Sequence, residues 1–273
     1  MILVTGAAGS LGSEICKQLV RDGEKVAALD IDEYGLWLLA HEIDVKTICD
    51  SVTRPELWES LRKQSITHVI NCAAVKHVFT VEQHEEWAHL VNYMSMRYMF
   101  HYGWKVVHIS TDKAVIPINK YGMSKLNAER TVLSTGGVVV RLVNIHNSRG
   151  CAEEIFRQQI EAGGPVTARD ERMERYFTTV EQAAADVITI ANNATCGLYM
   201  PDPGKPVKMD DIIRELIREE YDYGDHIEDA ALHVKIVYAG AGPEEKLIED
   251  VLTPYEKCEP VAWSDRIYKV VRK

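Results

Sequence analysis

Tyr121 and Lys125 stand four residues apart in the run Tyr-Gly-Met-Ser-Lys, a spacing that places both on one face of a helix. An ammonium beside a phenol stabilises the phenolate and lowers its pKa, so the pair could take a proton from a sugar hydroxyl. Upstream, Thr111-Asp112-Lys113 follows a short apolar run. An acid and a base side by side could remove water in concert, one protonating a leaving hydroxyl while the other takes a carbon-bound proton. The lysine would have to be neutral, through burial or nearby positive charge. Each motif has a plainer reading: Tyr-x-x-x-Lys arises by accident, and Asp-Lys can be a solvated loop pair. Their close succession, joined by Ser110-Thr111 and the turn at 117–120, favours chemistry.

These residues need a scaffold, and the first half of the chain supplies one. Short apolar runs at 1–5, 25–29, 45–49, 68–72, 105–109 and 138–143 alternate with a helical pattern through Leu11, Ile15 and Leu19 and with helix-length stretches such as 55–63 and 85–102. Strand–helix alternation with continuously apolar strands predicts a doubly wound α/β fold of Rossmann type, its parallel sheet covered on both faces. At the first strand–helix junction the chain reads Gly6-Ala7-Ala8-Gly9-Ser10-Leu11-Gly12. In such a loop the first glycine allows a tight turn, the second lets backbone N–H groups approach a pyrophosphate, and the third lets helix pack on strand. The helix N-terminus then faces the phosphates with Gly6, Ala8, Gly9, Ser10, Leu11 and Gly12 as the cradle. Asp30, 18 residues after Gly12, could accept from the adenosine ribose hydroxyls and repel a 2′-phosphate, which favours NAD while leaving NADP open. It also lies in an acidic surface run. Asp50 and Ser51 stand where an adenine edge could be read, and Ala73-Ala74 are small enough to lie against a cofactor.

Beyond about Gly150 the pattern loosens into a helix at 152–161, Gly/Pro-marked loops at 162–165 and 200–206, and an amphipathic helix at 208–220. The expected division is a nucleotide domain over 1–150 and, over 151–273, mainly a smaller substrate lobe, with segments that could return to the first domain. Lys plus Arg total 31 against 41 Asp plus Glu, a formal charge of −10. That balance argues against nucleic-acid and membrane-surface partners, which need a positive excess. No apolar stretch approaches a membrane span, and the start has no basic n-region, so a cytoplasmic chain is expected. Six cysteines are scattered without a Cys-x-x-Cys pair, and several sit in apolar runs, where a buried reduced thiol is expected rather than a metal ligand or disulfide.

The chain resembles the extended short-chain dehydrogenase/reductases, and more narrowly the inverting UDP-N-acetylglucosamine 4,6-dehydratases of the CapD-like polysaccharide-biosynthesis group. The resemblance rests on 5–12, on Ala73-Ala74-Val75-Lys76-His77-Val78, on Ser110-Thr111-Asp112-Lys113-Ala114 through Lys125, on Val140-Arg141, Asn144 and Ser148-Arg149-Gly150, on 173–177, and on Glu245-Lys246-Leu247 with Glu249. It implies that Tyr121, helped by Lys125 and with Thr111 beside it, takes the 4-hydroxyl proton during oxidation by NAD. Lys113 then removes the C5 proton, Asp112 protonates the departing 6-hydroxyl, and C5 is reprotonated from the opposite face. It also implies Lys76 and His77 on the sugar side, and Asn144, Arg149, Arg175 and Glu245 toward a UDP-sugar. Plainer readings remain: surface residues for Lys76 and His77, and a solvated charge for Arg175. The family usually carries Arg-Pro-Gly-Glu-Lys-Leu where this chain has Gly242-Pro243-Glu244-Glu245-Lys246-Leu247, so a diphosphate contact is missing or supplied elsewhere. Long relatives have an N-terminal membrane portion that is not expected here. A homo-oligomer is expected by the same resemblance. Two rival readings stay open: a UDP-sugar 4-epimerase or dehydratase/epimerase on the same scaffold, and a non-catalytic NAD(H)-binding regulator.

Overall fold

A computed structural model describes residues 1–221 and 234–273. Six strands follow the apolar runs closely: β1 (Ile2–Thr5), β2 (Val26–Asp30), β3 (Lys46–Cys49), β4 (His68–Asn71), β5 (Lys105–Thr111) and β6 (Val138–Leu142). They lie side by side in the order 3-2-1-4-5-6 and all run parallel, the doubly wound Rossmann arrangement. β1, β6 and most of β2, β4 and β5 are buried, and β3 forms the more exposed edge. Leu3, Leu29, Val69, Val106 and Val139 join Trp58, Leu61, Met96 and Met99 in one core. Each such side chain removed from water contributes about 1.5–3 kcal/mol before entropy is counted.

The sheet continues past β6. The strand Gly197–Pro201 pairs with it in parallel, and the hairpin Glu256–Val261 and Ser264–Arg272 adds two antiparallel strands at that edge. The expected break at 150 is therefore displaced. One unit comprises 1–142, 180–202 and 250–273; the other comprises 143–179 and 203–249. The physical reason is pairing. The strand at 197–201 and the hairpin complete a sheet edge that β6 would otherwise expose, and Gln18 on the helix Ser10–Arg21 donates to the carbonyl of Glu181 at the start of the helix Val180–Asn193 at 3.0 Å. Expecting a loop from 200 was mistaken for Met200 and Pro201, which close that strand. The second unit has its own core, in which Phe156 and Ile160 pack with Met209, Ile213 and Leu216.

The stretch at 85–102 is not one helix. It runs as Glu85–His89, a wide π-turn Leu90–Met94, and Met96–His101. Such turns frequently mark functional positions. Here Asn92 lies in it, fully buried. Among the described residues, no helix is long and apolar enough to cross a membrane.

Candidate active site

The glycine loop is built to receive an anion. Gly6 has φ 65°, a left-handed conformation that glycine adopts without strain. A Cβ on Gly12 would lie 2.1 Å from the Gly6 carbonyl oxygen, so only glycine lets the helix Ser10–Arg21 start this close to β1. That helix has no side-chain cap and no acidic residue in its first turn, which leaves its N–H groups and partial positive charge for a ligand. The loop is held from the side: Asp30 Oδ2 accepts from the Ala8 N–H at 2.9 Å and Oδ1 from the Asp32 N–H at 3.0 Å. Asp30 is thus first an anchor of the loop, with lone pairs left for a ribose. Asp50 lies beside it, its N–H donating to the Asp30 carbonyl at 3.0 Å, while its carboxylate receives Ser51 N–H and Arg54. Ala73 reaches the same place, since a Cβ on Gly6 would lie 2.7 Å from the Ala73 nitrogen; Ala74 follows, exposed. An uncapped helix end, a cradle closed to any larger residue and an acidic strand end together fit a dinucleotide.

At the end of β5 the other group assembles. Asp112 is 1% exposed. Its Oδ1 receives Thr111 Oγ1 at 2.9 Å and Lys113 Nζ at 3.0 Å. Its Oδ2 is buried with no hydrogen-bond partner among the described residues, an arrangement that costs free energy unless a proton or ligand completes it. Tyr121 is brought to this turn by close packing. Asn119 caps the helix Lys120–Ser134 through the Gly122 N–H at 2.7 Å, and a Cβ on Gly122 would lie 2.2 Å from the Lys113 carbonyl oxygen. The intervening Ile116 has φ 47°, an uncommon conformation for a β-branched residue and a sign of backbone strain.

The electrostatics differ from the simplest expectation. Burial and then the Asp112 carboxylate push the Tyr121 phenol up, against a hydrogen bond with Thr111; Lys125 is not among the causes. Lys125, 3% exposed, donates instead to the Ile109 carbonyl at 2.5 Å. Burial brings its ammonium down to about 8, opposed by Glu129 and Cys72. The expected lowering of Tyr121 by Lys125 is therefore replaced by a protonated phenol above a lysine that titrates close to neutrality.

Several positioning residues carried little signal. Asn92 accepts from the Val75 N–H at 2.7 Å and donates to the Val75 carbonyl at 2.9 Å and to Ser124 Oγ at 3.1 Å, pinning the loop that carries Lys76 and His77 to the Tyr121 helix. Lys76 and His77 are exposed there, the His77 imidazole pushed down by partial burial and by Lys76. Glu129 receives Ser110 Oγ at 2.6 Å and pairs with buried Arg141 at 2.9 Å, which also reaches Glu256. Glu129 extends the four-residue ladder of Tyr121 and Lys125, and that spacing could have revealed it.

In the second unit, Asn144 donates through Nδ2 to the Tyr176 carbonyl at 3.0 Å. Arg149 is exposed. Arg175 is not a solvated charge: its guanidinium donates to the carbonyls of Glu174, Lys246 and Leu247 at 2.8–3.0 Å. It clamps the 246–249 segment and keeps few donors for a ligand. Glu245 pairs with Arg169 at 3.3 Å and accepts from the Gly242 N–H at 3.2 Å, closing the turn where the family arginine would stand.

Comparisons with known proteins agree with this architecture. The polysaccharide biosynthesis protein family matches residues 2–271. The capsular polysaccharide biosynthesis protein CapD of Staphylococcus aureus is 34% identical over 291 residues, covering 98% of this chain and 47% of that protein, so the chain spans about half of that relative's length. A UDP-N-acetylglucosamine 4,6-dehydratase (inverting) of Campylobacter jejuni is 27% identical over 211 residues, covering 69% of this chain and 62% of that enzyme. Among solved structures, the UDP-glucose 4-epimerase of Thermus thermophilus in complex with NAD superposes with a TM-score of 0.77 at 22% identity, over 93% of this chain and 90% of that one. With a match that spans nearly all of its length, this chain belongs to the polysaccharide biosynthesis protein family.

Proposed function

We propose that this chain is an NAD-dependent nucleotide-sugar 4,6-dehydratase acting on UDP-N-acetylglucosamine with inversion at C5. The observation that carries the reading is the pairing of buried Asp112 with half-buried Lys113 beside Tyr121 and Thr111, the second Asp112 oxygen having no partner among the described residues. NAD, when bound here, would supply a hydride acceptor and donor for the sugar. Gly6, Ala8, Gly9, Ser10, Leu11 and Gly12 would hold its pyrophosphate, Asp30 its ribose, and Asp50 and Ser51 its adenine edge, with Ala73 and Ala74 lying against it.

Lys113 Nζ and Asp112 Oδ1 stand 3.0 Å apart as an ion pair. Dehydration needs the other arrangement, a neutral amine and a carboxylic acid. That form is one internal proton transfer away, over the 3.0 Å contact. The transfer has a second effect, because Asp112 is the charge that opposes ionisation of Tyr121; once protonated, it no longer does. With its own phenolic proton first released to solvent, Tyr121 then takes the 4-hydroxyl proton with Thr111 beside it. The resulting ketone acidifies C5–H, Lys113 removes that proton, and Asp112 gives its own to the departing 6-hydroxyl. The elimination ends with Lys113 cationic and Asp112 anionic, the pair as it began. Lys76 and His77 serve the sugar, and Asn144 and Arg149 the diphosphate, with Arg175 and Glu245 shaping the segment beside them.

The test is to incubate the purified chain with UDP-N-acetylglucosamine and follow mass and proton NMR. Loss of one water with a new 6-methyl doublet is expected. A product of unchanged mass would replace this reading with an epimerase, and tight NAD binding without turnover would replace it with a nucleotide-binding regulator.

A further inference from the structure

The second unit holds an imidazole more firmly than its exposure requires. His146 follows the short strand Asn144–Ile145, and its side chain is 37% exposed. Its Nδ1 lies 2.7 Å from Oε1 of Glu153, whose side chain is only 5% exposed. The ring stacks on Phe177 with centroids 4.4 Å apart and planes 15° from parallel. The His146 N–H donates to the Thr178 carbonyl at 2.9 Å. The next residue, Asn147, has φ 51°, a left-handed turn that asparagine tolerates better than most residues. The Asn147 N–H donates to Glu153 Oε2 at 2.8 Å. One nitrogen, one ring face and the main chain of His146 are therefore engaged, while Nε2 has no partner among the described residues.

Loop closure alone does not call for this arrangement. The Asn147 N–H already ties the loop to Glu153, and Phe177 could pack against any apolar side chain. A buried carboxylate at Nδ1 does something else: it fixes the ring and leaves Nε2 as the nitrogen that can meet a ligand. Burying that carboxylate is costly unless it is well partnered. Such a nitrogen suits an anion, because a hydrogen bond to an ionised phosphate oxygen is among the stronger kinds. Exposed Arg149 lies three residues further along the same loop.

We propose that His146 is a phosphate contact: its Nε2 donates to a non-bridging oxygen of the substrate's nucleoside diphosphate, with Glu153 as the residue that positions it. This rests on the nucleotide-sugar reading above and deepens it. The test is calorimetric titration of the full chain with UDP and, separately, with uridine. His146→Phe keeps the stack on Phe177 and removes both nitrogens. Glu153→Gln keeps an acceptor for the Asn147 N–H and removes the charge. His146→Phe should weaken UDP about ten- to hundred-fold, the effect of losing one charge-assisted hydrogen bond, and leave uridine within about twofold. Glu153→Gln should act in the same direction to a smaller extent. UDP affinity unchanged in these variants, or an equal loss for UDP and uridine, overturns the role of His146. If His146→Phe does not fold, Glu153→Gln decides between the same outcomes. Failure of the wild-type chain to bind UDP overturns the nucleotide-sugar reading itself, and is thereby distinguished from failure of the His146 assignment.

Discussion

The C-terminal ends of β2 and β5 each present an aspartate, and the two are treated in opposite ways. Asp30 is partly exposed, and both of its oxygens accept a main-chain N–H. Asp112 is almost wholly buried, shares one oxygen with Thr111 and Lys113, and leaves the other without a partner among the described residues. The first arrangement is complete in itself and makes a rigid cradle. The second is incomplete and is finished only by a proton or a ligand. Binding surfaces tolerate satisfied groups, whereas acid–base chemistry needs a group whose proton affinity the surroundings can change.

That contrast can be broken experimentally. The largest effect belongs to the β5 end: Tyr121→Phe should cut turnover by about 10²–10⁴ with NAD affinity retained, as measured by product formation and by cofactor titration. A variant that turns over at the wild-type rate would remove the phenol from the reaction.

Next comes Lys125. Its folded value, about 8, lies below the usual 10.5 of lysine. Below about pH 8 both folded and unfolded chains carry the proton, and the cost of burying the charge is fully present. Between about 8 and 10.5 the unfolded chain holds more protons, so the stability of the wild type rises with pH. Relative to Lys125→Met, the wild type should gain on the order of 3 kcal/mol between pH 7.5 and 10.5. Urea denaturation across that range reads the gap, and a constant gap would contradict a buried, depressed ammonium.

The β2 side should respond through packing and binding. Gly12→Ala forces a methyl group to within 2.1 Å of the Gly6 carbonyl oxygen, which should destabilise the chain by about 1–3 kcal/mol and weaken NAD binding. Thermal melts with and without NAD report both. Asp30→Asn should have the smallest effect, weakening NAD about three- to tenfold through one altered hydrogen-bond acceptor. A larger loss than that of Gly12→Ala would mean that the β2 end does more than cradle the cofactor.

Much of this was legible in residue order. The six apolar runs became β1–β6 because parallel strands buried on both faces are continuously apolar, and the Gly6–Gly12 spacing survives as geometry that admits no Cβ at Gly12. The strand Gly197–Pro201 was hidden, since its last residues, Met200 and Pro201, read as loop and only pairing with β6 makes it a strand. The hairpin at 256–272 was hidden for a similar reason, its largely exposed or half-buried residues lacking a clear pattern. The Tyr121–Lys125 spacing correctly placed both on one helix face but could not foresee that Lys125 bonds to Ile109 or that Asp112 governs Tyr121. Asn92 and Glu153 escaped notice because their partners lie on other segments or around a left-handed turn.

The central claim is that Asp112 and Lys113 carry out the elimination. It is tested most directly by running the reaction of UDP-N-acetylglucosamine in deuterium oxide with wild type and Lys113→Ala, following deuterium at C5 by NMR and cofactor reduction by absorbance. The account predicts a 6-deoxy-4-keto product with deuterium at C5 from the wild type. From Lys113→Ala it predicts C4 oxidation, seen as reduced cofactor, without deuterium entering C5. Unimpaired C5 exchange in Lys113→Ala would contradict it.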